Sequence, residues 1–158
     1  MKSGGKPGGW KGFASSINRS DIAKRAIAVH ICRGCAYWSE GKKPAACVAC
    51  GRMDFDSFQS KSEAKWWVRL LKRQERGHID QLEKQVRIPL LTVDHATGKP
   101  VQFAVFVADF RWREAGERIV AEVKPAAGMS YDAQLKIRCC EAMGIPVQLL
   151  TWEATKWL

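Results

Sequence analysis

Two cysteine pairs, Cys32-Arg33-Gly34-Cys35 and Cys47-Val48-Ala49-Cys50, constrain the fold of this chain more than any other stretch. A two-residue gap lets both sulfurs of a pair meet one ion while the backbone turns tightly around it, and Gly34 and Gly51 relax that turn. Four thiolates close a tetrahedral site and leave no open position for catalysis. The spacing therefore predicts structural zinc on Cys32, Cys35, Cys47 and Cys50. Four reduced thiols under a loop, or a redox pair, are the competing readings, but a single C-x-x-C would suffice for redox work. His30 reads as an ordinary strand residue, with ligand replacement as the alternative. Tyr37 to Pro44, between the pairs, reads as a hairpin with Lys42 and Lys43 at a basic tip.

The cysteines also bear on location. The first residues, Met1-Lys2-Ser3-Gly4-Gly5, lack the apolar stretch of a secretory signal. No apolar run approaches the roughly 18–20 residues of a membrane span. A soluble, cytoplasmic protein is expected, where disulfides would be out of place and cysteine pairs point to metal.

Charge narrows the partners. The net charge is +10 and the isoelectric point about 9.6, which implies a polyanionic partner, nucleic acid first and an anionic membrane second. Half of that excess sits in the first 25 residues, where six basic side chains face Asp21 alone. Residues 1–17 are rich in glycine and too poor in apolar residues to fold alone, so they read as a flexible basic arm. Trp10 and Phe13 interleave with Lys6 and Lys11, a pattern suited to backbone contact plus base stacking. Arg19 extends this basic character into the next segment.

Residues 18–57 form the expected zinc-ribbon-like module: a short helix capped near Asn18 to Asp21, a strand over Ala28 to Ile31, the two cysteine pairs, and a linker over 52–59. From residue 58 to 158 a second unit follows. Ser60-Lys61-Ser62-Glu63 opens a helix whose apolar residues recur at 64, 67, 68 and 71, and Gly77 ends it. Lys65 and Arg69, among its basic residues, face either DNA or solvent. Ile79 to Leu91 is extended, Asp94 to Lys99 a turn, Val101 to Phe110 a strand, Arg113 to Glu117 a loop and Ile119 to Lys124 a strand. Ser130 to Met143 is a second helix and Pro146 to Trp152 a last strand. The helical crossover implies a mixed central sheet flanked by helices, an α/β (α+β) fold. Cys139 and Cys140 read as core. So do most tryptophans, with base stacking an alternative for Trp112.

The chemistry concentrates at Asp109 and at Glu122-Val123-Lys124. Alternation along a strand puts Glu122 and Lys124 on one face and Val123 on the other, in a core. Carboxylates and a lysine on neighbouring strands are costly to bury unless a metal ion and a phosphate ester offset them. Mg²⁺ (or Mn²⁺) held by Asp109, Glu122 and the Val123 carbonyl would suit phosphodiester hydrolysis. Lys124 would orient or deprotonate the attacking water, or neutralise phosphate charge.

Three motifs carry a resemblance. Phe58-Gln59-Ser60-Lys61-Ser62-Glu63-Ala64 at a helix start, Ala108-Asp109-Phe110 at a strand end and Glu122-Val123-Lys124 resemble the PD-(D/E)XK nuclease superfamily, over residues 58–152. More narrowly they are similar to small phage-borne nucleases, an arrangement shared by Holliday junction resolvases. The resemblance implies a restriction-endonuclease-like αβββαβ core, metal on Asp109 and Glu122, and water assistance from Lys124. It adds Glu63 to the acidic cluster and Gln134 and Lys136 as auxiliary phosphate contacts. It also implies branched or duplex DNA as substrate and a homodimer that cuts twice across a junction. Ala108 replaces the superfamily's proline, and Pro125 stands where relatives often carry glycine. The competing readings are a non-catalytic, zinc-containing DNA- or RNA-binding protein, and a nicking or mobile-element nuclease on the same fold.

Overall fold

Ser60 leaves the extended chain at φ −137 and ψ 152 and starts the first helix, α1 (Lys61–Glu75). Its Oγ accepts the Glu63 N–H at 3.1 Å and donates to Glu63 Oε1 at 2.8 Å, a reciprocal cap of the first turn. Ala64, Trp66, Trp67 and Leu70 form the buried stripe. Gly77 turns the chain out at φ 73, a conformation that favours glycine. The computed structural model describes residues 27–124 and 128–151. The expected helix near Asn18 and the basic arm, with Lys6, Lys11 and Arg19, lie outside the described residues.

The described residues form a mixed α+β structure of two helices and two sheets. The smaller sheet has order β2-β1-β3, from β1 (Val29–Cys32), β2 (Trp38–Glu40) and β3 (Phe55–Phe58), all antiparallel. Two expectations change here. A single strand, β2, lies between the cysteine pairs, and its partner is β1 rather than a second strand of its own hairpin. The expected linker over 52–59 contains β3. Phe58 enters the same core cluster as Val29, Ile31, Trp67 and Phe110. The boundary expected at 57/58 therefore falls inside a strand whose side chains join both units.

The larger sheet has order β4-β5-β6-β7, from β4 (Asp80–Val93), β5 (Pro100–Glu114), β6 (Glu117–Val123) and β7 (Val147–Leu150). The first three strands are antiparallel neighbours, and β6 and β7 are parallel. Parallel neighbours need a long crossover. α2 (Tyr131–Ala142), capped by Ser130, lies within it. The order of helix, three strands, helix and strand is the one read from the sequence. No helix among the described residues is long and apolar enough to cross a membrane.

Each face of this sheet has its own core. On β6, Ala121 packs with the α1 residues and Val120 with Ile137 and Cys140 of α2, as alternation requires. On β5 the rule breaks: Ala108 and Phe110 share parity yet belong to different cores. The same exchange occurs on β4 between Leu82 and Val86. Between them Gln85 has φ 53, rare for a residue with a side chain. The flanking pairs Lys84↔Phe110 and Val86↔Ala108 place Gln85 opposite Asp109. The β4–β5 ribbon thus exchanges faces at the Gln85–Asp109 rung.

Candidate functional site

The last rung of the β5–β6 ladder is Phe110↔Ala121. One step further, where Asp109 and Glu122 would pair, the strands part. The Asp109 side chain fills the gap, and its Oδ2 accepts the Val123 backbone N–H at 2.8 Å. Both carboxyls are partly buried. Burial pushes the Asp109 carboxyl up to about 6. The Val123 N–H works against that rise, the Glu63 charge adds to it, and Gln85 opposes it with a side-chain hydrogen bond. Burial likewise pushes Glu122 up to about 7, helped by the charges of Asp109 and Glu63 and opposed by the Asp109 backbone N–H. Glu63, Asp109 and Glu122 therefore sense one another electrostatically, although they come from three different elements.

Glu122 Oε2 is buried with no hydrogen-bond partner among the described residues. A carboxylate oxygen so placed loses its hydration without replacement. A hard divalent cation such as Mg²⁺ or Mn²⁺ prefers oxygen donors of this kind, and Asp109 and Glu122 are the carboxylates that could offer them. Glu63 is already engaged through Oε1 with Ser60, so it adds field to the cluster rather than a free carboxylate. Lys124 is exposed at the end of β6, and its backbone N–H donates to Leu150 O at 2.9 Å, tying this strand end to β7.

The other candidates are more dispersed. Gln134 Nε2 donates to Met129 O at 3.0 Å, at the entry to α2. Lys136 Nζ pairs with Asp132 at 2.9 Å, one turn away. Lys42, Lys43 and Lys65 are exposed, while Arg69 stacks its guanidinium over the Trp66 ring at 5.0 Å. Part of the basic surface of α1 is used within the chain, through Lys61 to Glu40 at 2.8 Å and Arg73 to Glu114. Trp112 is buried in the core, with its indole N–H on Glu114.

The four cysteines do converge. Their Sγ atoms all lie within 4.8 Å of one another, with Cys32···Cys50 and Cys35···Cys47 at 3.5 Å. A tetrahedron with Zn–S of about 2.3 Å has edges of about 3.8 Å, so the sulfurs stand close to the spacing zinc requires. This cluster can hold a metal such as zinc. Burial raises the Cys32 thiol, but the Gly34 and Cys35 backbone N–H groups and the neighbouring Cys50 and Cys47 outweigh it and bring it down to about 7. His30 stays outside the sulfur cluster: Nδ1 contacts Ser57 Oγ at 2.9 Å and Nε2 contacts Gly41 O at 3.0 Å.

Two residues were missed by sequence reasoning. Asp56, only 5% exposed, receives Arg33 Nη2 at 2.9 Å, Trp67 Nε1 at 3.1 Å and the Lys84 ammonium. Burial alone would raise its carboxyl, but Arg33 and Lys84 hold it below the usual range. The flanking aromatics in Phe55-Asp56-Ser57-Phe58 were the available signal for a strand. Gln85 carried none, because nothing in its identity announces a left-handed backbone.

A family model described as Protein of unknown function (DUF1064) matches residues 45–153, which takes in Cys47 and Cys50, both helices and the larger sheet. No curated protein and no solved structure matches the chain.

Proposed function

The chain belongs to the DUF1064 family, and we propose that it is a Mg²⁺-dependent DNA endonuclease of the cytoplasm, selective for branched DNA. The observation that carries this reading is the buried, unpartnered Glu122 Oε2 beside Asp109, two carboxyls raised to about 7 and about 6. Carboxyls perturbed by burial and by one another are candidates for a functional site, and a cation would relieve both effects. Support also comes from the element order, with the acids on β5 and β6 and a parallel β7, which suits a restriction-endonuclease-like core.

In this reading Asp109 and Glu122 hold the cation, with the Val123 carbonyl as a further donor. The bound ion supplies charge neutralisation and an acidified water. Lys124, solvent-facing beside Glu122, orients or deprotonates the water, or neutralises the phosphate. Glu63 strengthens the field that favours a cation over a proton. Gln134 and Lys136, freed from Met129 and Asp132, reach phosphates, and Lys42, Lys43, Lys65 and Arg69 hold the backbone with the N-terminal Lys6, Lys11 and Arg19. A homodimer would present two such sites to the symmetric strands of a Holliday junction.

The test is cleavage of supercoiled plasmid and four-way junctions with Mg²⁺, using wild type and Glu122→Gln. Wild type should cut and the variant should not. If both bind and neither cuts, the chain is a non-catalytic nucleic-acid-binding protein. One observation favours that second reading: the Ser60 cap accounts for Glu63, and the Val123 N–H accounts for Asp109, without any reaction. If wild type cuts linear duplex as readily as junctions, the junction preference fails and a nicking activity remains.

A further inference from the structure

We infer that Asp56 is a positioning residue for the acidic site, joining the cysteine loop to the Gln85–Asp109 rung so that metal on the four thiolates firms the Asp109–Val123 contact. This rests on the reading of Asp109 and Glu122 as a cation site.

The path is continuous. Arg33 lies inside the first C-x2-C, next to Cys32, and its guanidinium bonds Asp56 through Nε at 3.1 Å and Nη2 at 2.9 Å. Its backbone N–H donates to Asp54 O at 3.0 Å, so the loop is fixed to the approach to β3 at two levels. Asp56 then takes the Trp67 indole from α1 and the Lys84 ammonium from β4. The Lys84 ammonium also lies 5.0 Å from the Phe58 ring and 5.8 Å from the Trp67 ring, which restricts where it can go. The next residue is Gln85, at φ 53, opposite Asp109.

Beyond its own turn hydrogen bonds, the Cys32↔Phe55 rung and the Arg33–Asp54 pair, the loop adds no side chain to the main core of the described residues. Cys32, Cys47 and Phe55 form a small cluster separate from the main core. Cys32 to Ala36 border a groove of about 850 Å³ that Trp67 and Lys84 also line. A buried charge bonded to three elements fixes their mutual positions, because releasing any one partner leaves the charge under-compensated. Metal on the cysteines fixes the Arg33 backbone, and Asp56 passes that constraint to β4. By reciprocity, a cation between Asp109 and Glu122 favours the same loop geometry.

Backbone amide hydrogen exchange on the full chain, followed by NMR, tests this. The samples are zinc-loaded wild type, zinc-stripped wild type, and Arg33→Gln with its zinc content checked. Arg33→Gln keeps all four thiolates and alters a half-exposed side chain, so it decides the matter if stripping unfolds the protein. The Val123 amide should exchange about tenfold faster in Arg33→Gln while the Ile119 and Ala121 amides keep their rates. Unchanged Val123 exchange, or equal acceleration across β6, overturns the inference. Mn²⁺ titration is the second readout, with about tenfold weaker binding expected in Arg33→Gln. If wild type binds no Mn²⁺ while Val123 still responds to Arg33→Gln, the coupling stands and the cation reading of the acidic site fails.

Discussion

Asp109 completes a strand it does not belong to: its Oδ2 takes the backbone N–H of Val123 at 2.8 Å, one step beyond the last paired rung of β5 and β6. Where the ladder ends, a side chain does the work of a backbone carbonyl. Beside it, Glu122 has one oxygen buried and without a donor among the described residues. Capping the end of the β5–β6 ladder and burying an unpaired carboxylate oxygen are thus the same local event.

The pH dependence of stability follows. Asp109 titrates at about 6 and Glu122 at about 7, above the unfolded values of about 4. The folded state binds these protons more tightly, so the two groups stabilise it below about pH 4 and lose that contribution as pH rises through 6 to 7. Without divalent metal, wild type should lose melting temperature relative to Glu122→Gln between pH 5 and 8. Mg²⁺ or Mn²⁺ should restore it at pH 8 and have little effect at pH 5, each recovered kcal/mol appearing as about 2–4 °C. Melts at both pH values, with and without Mn²⁺, check this, and equal metal shifts at the two would contradict it.

Catalysis should separate from binding at Lys124. The side chain is exposed and makes no ion pair or hydrogen bond among the described residues, so Lys124→Ala should fold normally. Loss of a group that moves or orients a proton slows the chemical step by about 10²–10⁴-fold. Junction affinity should stay within a few-fold of wild type. Single-turnover cleavage and gel-shift binding measure the two quantities, and a variant that loses both in parallel would make Lys124 a binding residue.

Legibility varied with the range of the interactions. α1 could be read because its signals are local: Ser60 and Glu63 cap each other and the apolar stripe repeats within four residues. The hairpin that puts Asp109 and Glu122 on neighbouring strands was legible because a tight turn sets hairpin register. Asp56 was not, since the partners that make its burial tolerable lie 23 residues before it, at Arg33, and at Lys84 on another sheet. The exchange of faces at Gln85 was hidden for a different reason. Period-two reasoning puts Ala108 and Phe110 in one core, and the exchange at the Gln85–Asp109 rung breaks that period without changing the hydrophobic pattern.

Zinc content gives a prediction independent of the acidic site. The sulfurs already stand near tetrahedral spacing, so the reduced chain should carry one zinc per molecule as measured by plasma mass spectrometry. Cys35→Ser and Cys47→Ser should each fall to near none. Chelation should lower the melting temperature of wild type, because metal that binds only the folded state stabilises it. A chain that melts identically with and without chelator would mean that the sulfurs hold no structural ion.

Asp56 should contribute to stability through its charge and should reveal itself in acid. Its carboxyl is held below its unfolded value of about 3.9 against the effect of burial, because Arg33 and Lys84 favour the charged form. The contribution is therefore complete above pH 4 and lost as pH falls through the lower, folded value. Breaking one member of a buried pair costs about 3–5 kcal/mol. The Arg33 side chain is 51% exposed and that of Lys84 26% exposed, so water compensates both in part and the cost of Asp56→Asn belongs at the lower end. Urea unfolding should show wild type ahead of Asp56→Asn by a constant margin from pH 8 to pH 5, with the margin narrowing steadily once pH falls below about 4. A margin that does not narrow below about pH 4 would assign the role of Asp56 to packing and the Trp67 hydrogen bond rather than to its charge.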